Sequence, residues 1–239
     1  WRTTGSGGDP DYGDWAKFLT AYVRPSADGV TRVAYGQAVQ GGGASALRSW
    51  LAQTQQTDPT TLAPDAARAW WINLYNAATV DLVLSDYPVD SIKEVKGGLF
   101  NTGPWGEKVL TVNGQALSLD DVEHGILRPI WPDARIHYAV NCASIGCPNL
   151  KTTPWTAAGL EADLDAGAKA YVNDPRGAEV KGGDLTASKI YDWFQEDFGG
   201  SEAGVVAHLA KYALGALATG LAGVSDVDSY RYDWSLNGA

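Results

Sequence analysis

The chain has 239 residues, 45% hydrophobic, 19% charged and 10% aromatic, with 28 Gly, 10 Trp and no Met. Lys and Arg number 18 against 28 Asp and Glu, a formal net charge of −10 that repels phosphate backbones and anionic headgroups and argues against nucleic-acid and peripheral-membrane partners. Nor does any apolar run approach the roughly 20 residues of a membrane span; the longest, 212–224, is interrupted by Gly215, Gly220 and Gly223.

Residues 1–13 (WRTTGSGGDPDYG) are rich in Gly and Asp without periodicity and read as a flexible leader, leaving 14–239 as a single globular domain. A start at Trp1 fits a processed or excised form. With its abundant tryptophan and low charge density the chain reads as an exported bacterial protein, periplasmic or secreted. From 14 to 23 (DWAKFLTAYV), Trp15, Phe18, Leu19 and Tyr22 fall at helical spacing. A short strand is expected at 31–35 and a second amphipathic helix at 44–55, closed by Asp58-Pro59. Residues 65–86 (DAARAWWINLYNAATVDLVLSD) are apolar on most faces, which marks a central helix.

An irregular Gly-rich stretch, 91–105, leads to a hairpin at 108–117 turning on Asn113-Gly114. The spacing of Ser118 and Asp121 predicts a capped helix over 118–127. Alternation in RIHYAV predicts a strand at 135–140, followed by a turn-rich segment, NCASIGCPNL, at 141–150. Helices are expected at 156–172, 187–198 and 201–218, with a hairpin around 181–184 and a closing strand at 230–236. Helices outnumber short strands, so the class is α+β: a helix-rich single domain with a small antiparallel sheet.

Cys142 and Cys147 lie just after His137. A thiol, a base and small residues whose amides could hold an oxyanion are the parts of a cysteine nucleophile site. The same spacing also suits a Cys142–Cys147 disulfide in an exported protein, and both readings stand on the sequence. Two cysteines and one nearby histidine lack the paired spacing of a zinc motif, so no metal and no cofactor is expected. Asn73 and Asn76 share a face of the central helix, either tying it to a neighbouring loop or lining a pocket with Tyr75 or Trp71. Asp120, His124 and Arg128 have the spacing of a solvated salt-bridge face. Glu123, beside Leu119, Val122 and Ile126, is the residue expected to reach inward as acid or base. His208 reads as a packed histidine, and Trp105 and Trp131 as loop aromatics suited to a binding surface.

The series AWWINLYNA (69–77), YPVDSIKEV (87–95), LSLDDVEHGILR (117–128), RIHYAVNCASIGCPNL (135–150) and SKIYDWFQEDF (188–198) resembles the domain of unknown function 547 family. The resemblance covers most of the chain from about residue 15. It implies a distant relation to papain-like and transglutaminase-like cysteine enzymes, in which the nucleophile begins a central helix and the histidine follows on a strand. Here the central helix offers Asn73 and Asn76 where a cysteine is wanted. Either the nucleophile has moved to the loop at 141–148, or the scaffold is a binding module for a peptide or glycan. The leading expectation is a cysteine-dependent acyl-transfer or amide-hydrolysing enzyme in which Cys142 attacks, His137 takes its proton and an Asn orients the pair.

Overall fold

In the computed structural model, residues 1–96 and 103–239 are described; residues 97–102, part of the expected Gly-rich irregular stretch, lie outside the described residues. About half of the chain is helical and the strands are short, the α+β, helix-rich single domain expected. The first third comprises α1 (Gly13–Tyr22), β1 (Val23–Pro25), β2 (Thr31–Val33), α2 (Tyr35–Gln40) and α3 (Gly43–Thr54). These surround α4 (Pro64–Asp86), which starts with Pro at its first turn, where a missing N–H costs no hydrogen bond. Its apolar composition has the consequence anticipated. From Ala66 to Val80 every residue is buried, and Trp15, Trp50, Trp70 and Trp71 form the aromatic centre of the larger core. Residues 1–13 lie against the start of α4: Gly5 N–H donates to Leu62 O at 2.8 Å, and Trp1 meets Trp71 edge-on at 5.3 Å.

The Asn-Gly hairpin forms as β3 (Leu110–Val112) and β4 (Gln115–Leu117), with Asn113 and Gly114 both at positive φ. The capping box forms too: Asp121 N–H donates to Ser118 Oγ at 3.1 Å, and Ser118 N–H to Asp121 Oδ2 at 2.6 Å. The helix that this box opens is not an α-helix. Asp121–Leu127 winds as a π-helix, in which Arg128 N–H reaches back five residues to Glu123 O, before α5 (Arg128–Ile130) finishes the run. Single π segments interrupt helices at functional sites more often than elsewhere.

The expected strand at 135–140 is replaced by a 3₁₀ helix, Ala134–Tyr138. Asp133 caps it by accepting from Arg135 N–H at 2.9 Å, and Ile136, His137 and Tyr138 are all buried. The alternation of residue type therefore has no matching alternation of environment, which a half-buried strand requires.

Beyond the loop at 141–150, α6 (Leu160–Val172), β5 (Ala178–Lys181), β6 (Asp184–Ser188), α7 (Lys189–Trp193), α8 (Glu202–Tyr212) and α9 (Gly215–Gly220) enclose a second, smaller core that includes Tyr138 and Phe198. The helix expected at 187–198 is shorter, ending in a 3₁₀ turn at Gln195–Phe198. The helix expected at 201–218 is broken because Asn173 accepts from Leu214 N–H at 2.7 Å and donates to Tyr212 O at 2.9 Å, capturing the backbone between α8 and α9. The closing strand is only β7 (Ser229–Arg231), and it pairs parallel to β6, so this sheet is mixed rather than purely antiparallel. Among the described residues no helix is long and apolar enough to cross a membrane.

Candidate active site at the seam of the two cores

The segment holding both cysteines is fixed from every side. Asn76 on α4 donates from Nδ2 to Ala139 O at 2.9 Å and accepts from Asn141 N–H at 2.8 Å, so the asparagine ties the central helix to the loop. Asn141 in turn donates to Pro148 O at 2.7 Å and accepts from Ala143 N–H at 2.9 Å. This closes a tight turn with Ala143 at φ 58°, a left-handed value that is uncommon for a residue with a Cβ. The C-terminal segment straps the turn down, with Ile145 N–H on Ser235 O and Gly146 N–H on Asp233 O, both at 2.8 Å. Position 146 must be glycine for this approach: a Cβ there would stand 2.7 Å from Asp233 N.

Between the two cores lies a cavity of about 180 Å³ onto which Glu123, His137, Cys142 and Cys147 all open. Asn73 does not line it; it holds another loop, accepting from Trp155 N–H at 3.0 Å and donating to Trp155 O at 2.8 Å. Both cysteines are free thiols. Cys142 is partly exposed, its Sγ 2.9 Å from Tyr232 Oη and 3.2 Å from Ser144 Oγ, and its N–H donates to Cys147 Sγ at 3.0 Å. Contact with the Cys147 thiol, and then with the Ser144 and Tyr232 hydroxyls and Ser144 N–H, lowers the Cys142 pKa against the cost of burial. Burial pushes Cys147 well above the ordinary thiol value, and a thiolate at Cys142 raises it further. The pair therefore loses its first proton at Cys142. Tyr232 itself is held well above its usual pKa by burial and by the adjacent sulfurs, so its hydroxyl keeps its proton and donates.

An acid–base group opens onto the same cavity. His137 Nε2 lies 2.7 Å from Asp197 Oδ2, and its Nδ1 lies 3.6 Å from Glu123 Oε1. The imidazole stacks on Phe194 at 4.4 Å. Asp197 is held well below the usual carboxylate range by the His137 hydrogen bond and by Arg128, whose Nε donates to it at 2.6 Å. An ionised Asp197 accepts the Nε2 proton and leaves Nδ1 facing Glu123. Tyr75 completes the group: burial, then the Glu123 carboxylate and the two sulfurs, keep its hydroxyl protonated.

Of the residues singled out by sequence, Glu123, His137, Cys142 and Cys147 come together around one cavity, Asn76 holds the backbone that presents the cysteines, and Asn73 holds the separate loop at Trp155. His137 bonds carboxylates rather than a sulfur, and Asp197, not an asparagine, orients it. Trp105 lines the cavity; Trp131 packs against the larger core. His208 is packed among Tyr138, Tyr191, Phe198 and Tyr212. Sequence reasoning misses Asp197 and Tyr232. The density of aromatic residues in YRYDWSL is the available signal for Tyr232.

Residues 59–172, which carry α4, the π-helix, His137 and both cysteines, match the family model described as protein of unknown function, DUF547. The match supports, over this stretch, the resemblance carried by the sequence motifs. No curated protein and no solved structure matches the chain.

Proposed function

We propose that the protein is a cysteine-dependent acyl-transfer or amide-hydrolysing enzyme. The observation that carries this reading is the arrangement around one cavity: Cys142, whose pKa is lowered, opens onto the same space as Glu123 and as His137, which Asp197 holds. In the reaction the Cys142 thiolate attacks a carbonyl carbon, forming the C–S bond. Collapse of the tetrahedral intermediate breaks the bond to nitrogen, and the departing amine takes the proton held between Glu123 and His137. Water, or a second amine, then attacks the thioester, returns a proton to the same pair and releases the thiolate. Asp197 stabilises the imidazolium each time it forms.

The test is covalent trapping. With an activated ester, a mass increase of one acyl group is expected on Cys142, absent in Cys142→Ala and retained in Cys147→Ala. An adduct that ignores the Cys142 substitution overturns the assignment. A second reading has one observation in its favour, since no imidazole nitrogen bonds a sulfur among the described residues. It is a non-catalytic module for a peptide or glycan, locked by a Cys142–Cys147 disulfide in an exported setting. Thiol counting under denaturing, non-reducing conditions separates the two: two titratable thiols favour the enzyme, and none favours the module unless reduction switches activity on.

A further inference from the structure

The cavity that holds the nucleophile is also an aromatic box with negative charge at its edge. Trp105, Trp193, Phe194, Tyr232 and Trp234 line it. Their rings are close and mutually inclined: Tyr232 and Trp234 lie 4.6 Å apart at 55°, Trp193 and Tyr232 4.9 Å at 57°, and Trp105 and Trp234 5.5 Å at 66°. Inclined rings close together form walls rather than a stack. Trp193 is 43% exposed, an unusual cost for so large an apolar side chain without a partner.

The carboxylates Asp120 and Glu123 open onto the same space. Among the described residues neither has a Lys or Arg partner within 4.0 Å; their neighbours are His124 and His137, at 3.6 to 3.9 Å. Among the described residues no Lys or Arg lines the cavity: Arg128, which pairs with Asp197, sits 4.9 Å over Phe194, and Lys93 sits 5.0 Å over Trp234, both from outside it. Asp120, Glu123 and Asp197, set against Arg128 and a protonated His137, still leave the site short of one positive charge beside several ring faces. An aromatic face attracts a cation through its quadrupole, more strongly when both are desolvated. The overall charge of −10 acts in the same direction.

We propose that this box binds an organic ammonium group, and that the group is the amine-bearing part of the acyl substrate or acceptor. A neutral glycan would stack on the rings and donate hydroxyls to the carboxylates but bring no positive charge to them. The assignment of the ammonium to an acyl substrate rests on the acyl-transfer reading of the site, but the binding does not, and the experiment keeps them apart. On the full chain carrying Cys142→Ala, choline is compared with its uncharged isostere 3,3-dimethyl-1-butanol by broadening of their methyl proton resonances. Choline is expected to bind at least tenfold more tightly, and the preference to fall several-fold in Asp120→Asn, in Glu123→Gln and in the exposed Trp193→Ala. Asp184→Asn, in the distant β5–β6 turn, should leave it unchanged. Equal binding of the two probes, no binding of either, or saturable binding of an N-acetylglucosamine oligomer in their place overturns the proposal. Choline binding in a protein whose Cys142 takes no acyl group would instead remove only the catalytic reading.

Discussion

At Cys142 the decisive balance is between burial, which favours the neutral thiol, and the donors gathered on the sulfur. A hydrogen bond to a charged group is worth roughly 1.5–3 kcal/mol, so losing one donor costs about a factor of ten or more in thiolate population. Tyr232→Phe removes the hydroxyl 2.9 Å from Sγ, and alkylation of Cys142 by iodoacetamide at pH 7 is expected to slow about tenfold while Cys147 stays inert. An unchanged rate would mean that these donors do not hold the thiolate. His208 makes a different residue-level prediction. Burial first, and Lys211 second, lower its pKa to about 4 from the ordinary 6.5. Its folded pKa lies below its unfolded one, so its contribution to stability is complete above pH 6.5 and disappears as the pH falls toward 4. The loss over that window is on the order of 2–3 kcal/mol. His208→Gln should flatten the corresponding slope in urea unfolding free energies; an identical slope would assign it to other groups.

Among the elements, α4 and the cysteine loop depend on one another through a single amide. Asn76→Ala would leave Ala139 O and Asn141 N–H without their buried partner, each costing about 1–3 kcal/mol. Denaturant unfolding should register a loss of about 3 kcal/mol, and the alkylation contrast between the two cysteines should shrink as the loop relaxes. Periodicity makes α4, α1, α3 and both hairpins legible, because their side chains alternate between core and solvent with a regular period or, in α4, face the core all round. The π-helix and the 3₁₀ helix are not legible. Their backbones are set by hydrogen bonds one residue longer or shorter than the α pattern, and an amphipathic sequence such as LSLDDVEHGIL does not encode that difference. His137 and the cysteines stand out because they are rare residues close together. Asp197 is hidden by its surroundings, since DWFQED offers three acids and only tertiary packing selects the one that meets His137.

At the scale of the whole molecule, the two cores are joined beside the 3₁₀ helix by an ion-pair network. Arg68 of α4, buried to 5% exposure, donates to Asp133 at 3.0 Å, and Arg135 bridges Asp133, Glu161 and Asp165 between 2.7 and 2.9 Å. Asp133→Ala leaves the buried Arg68 charge with only the looser contact to Glu161 at 3.8 Å, a loss of up to about 3–5 kcal/mol by the behaviour of broken buried pairs. Differential scanning calorimetry should show it as a large drop in Tm. Glu161→Ala, at an exposed position, should cost under about 1 kcal/mol.

The placement of the cavity between two cores has a kinetic consequence. The cavity takes Tyr75 from the larger core and Ile190 and Phe194 from the smaller one, so separating the two lining faces would widen it without either core unfolding. Partial openings of this kind lie below the global free energy of unfolding. The amides of Ile145 and Gly146, bonded to the strap at 233–235, should exchange their hydrogens sooner than those inside α4, and a ligand seated in the cavity should slow them first. Slowed exchange at these two amides would then report that the cavity is filled, because the turn they anchor carries Cys142.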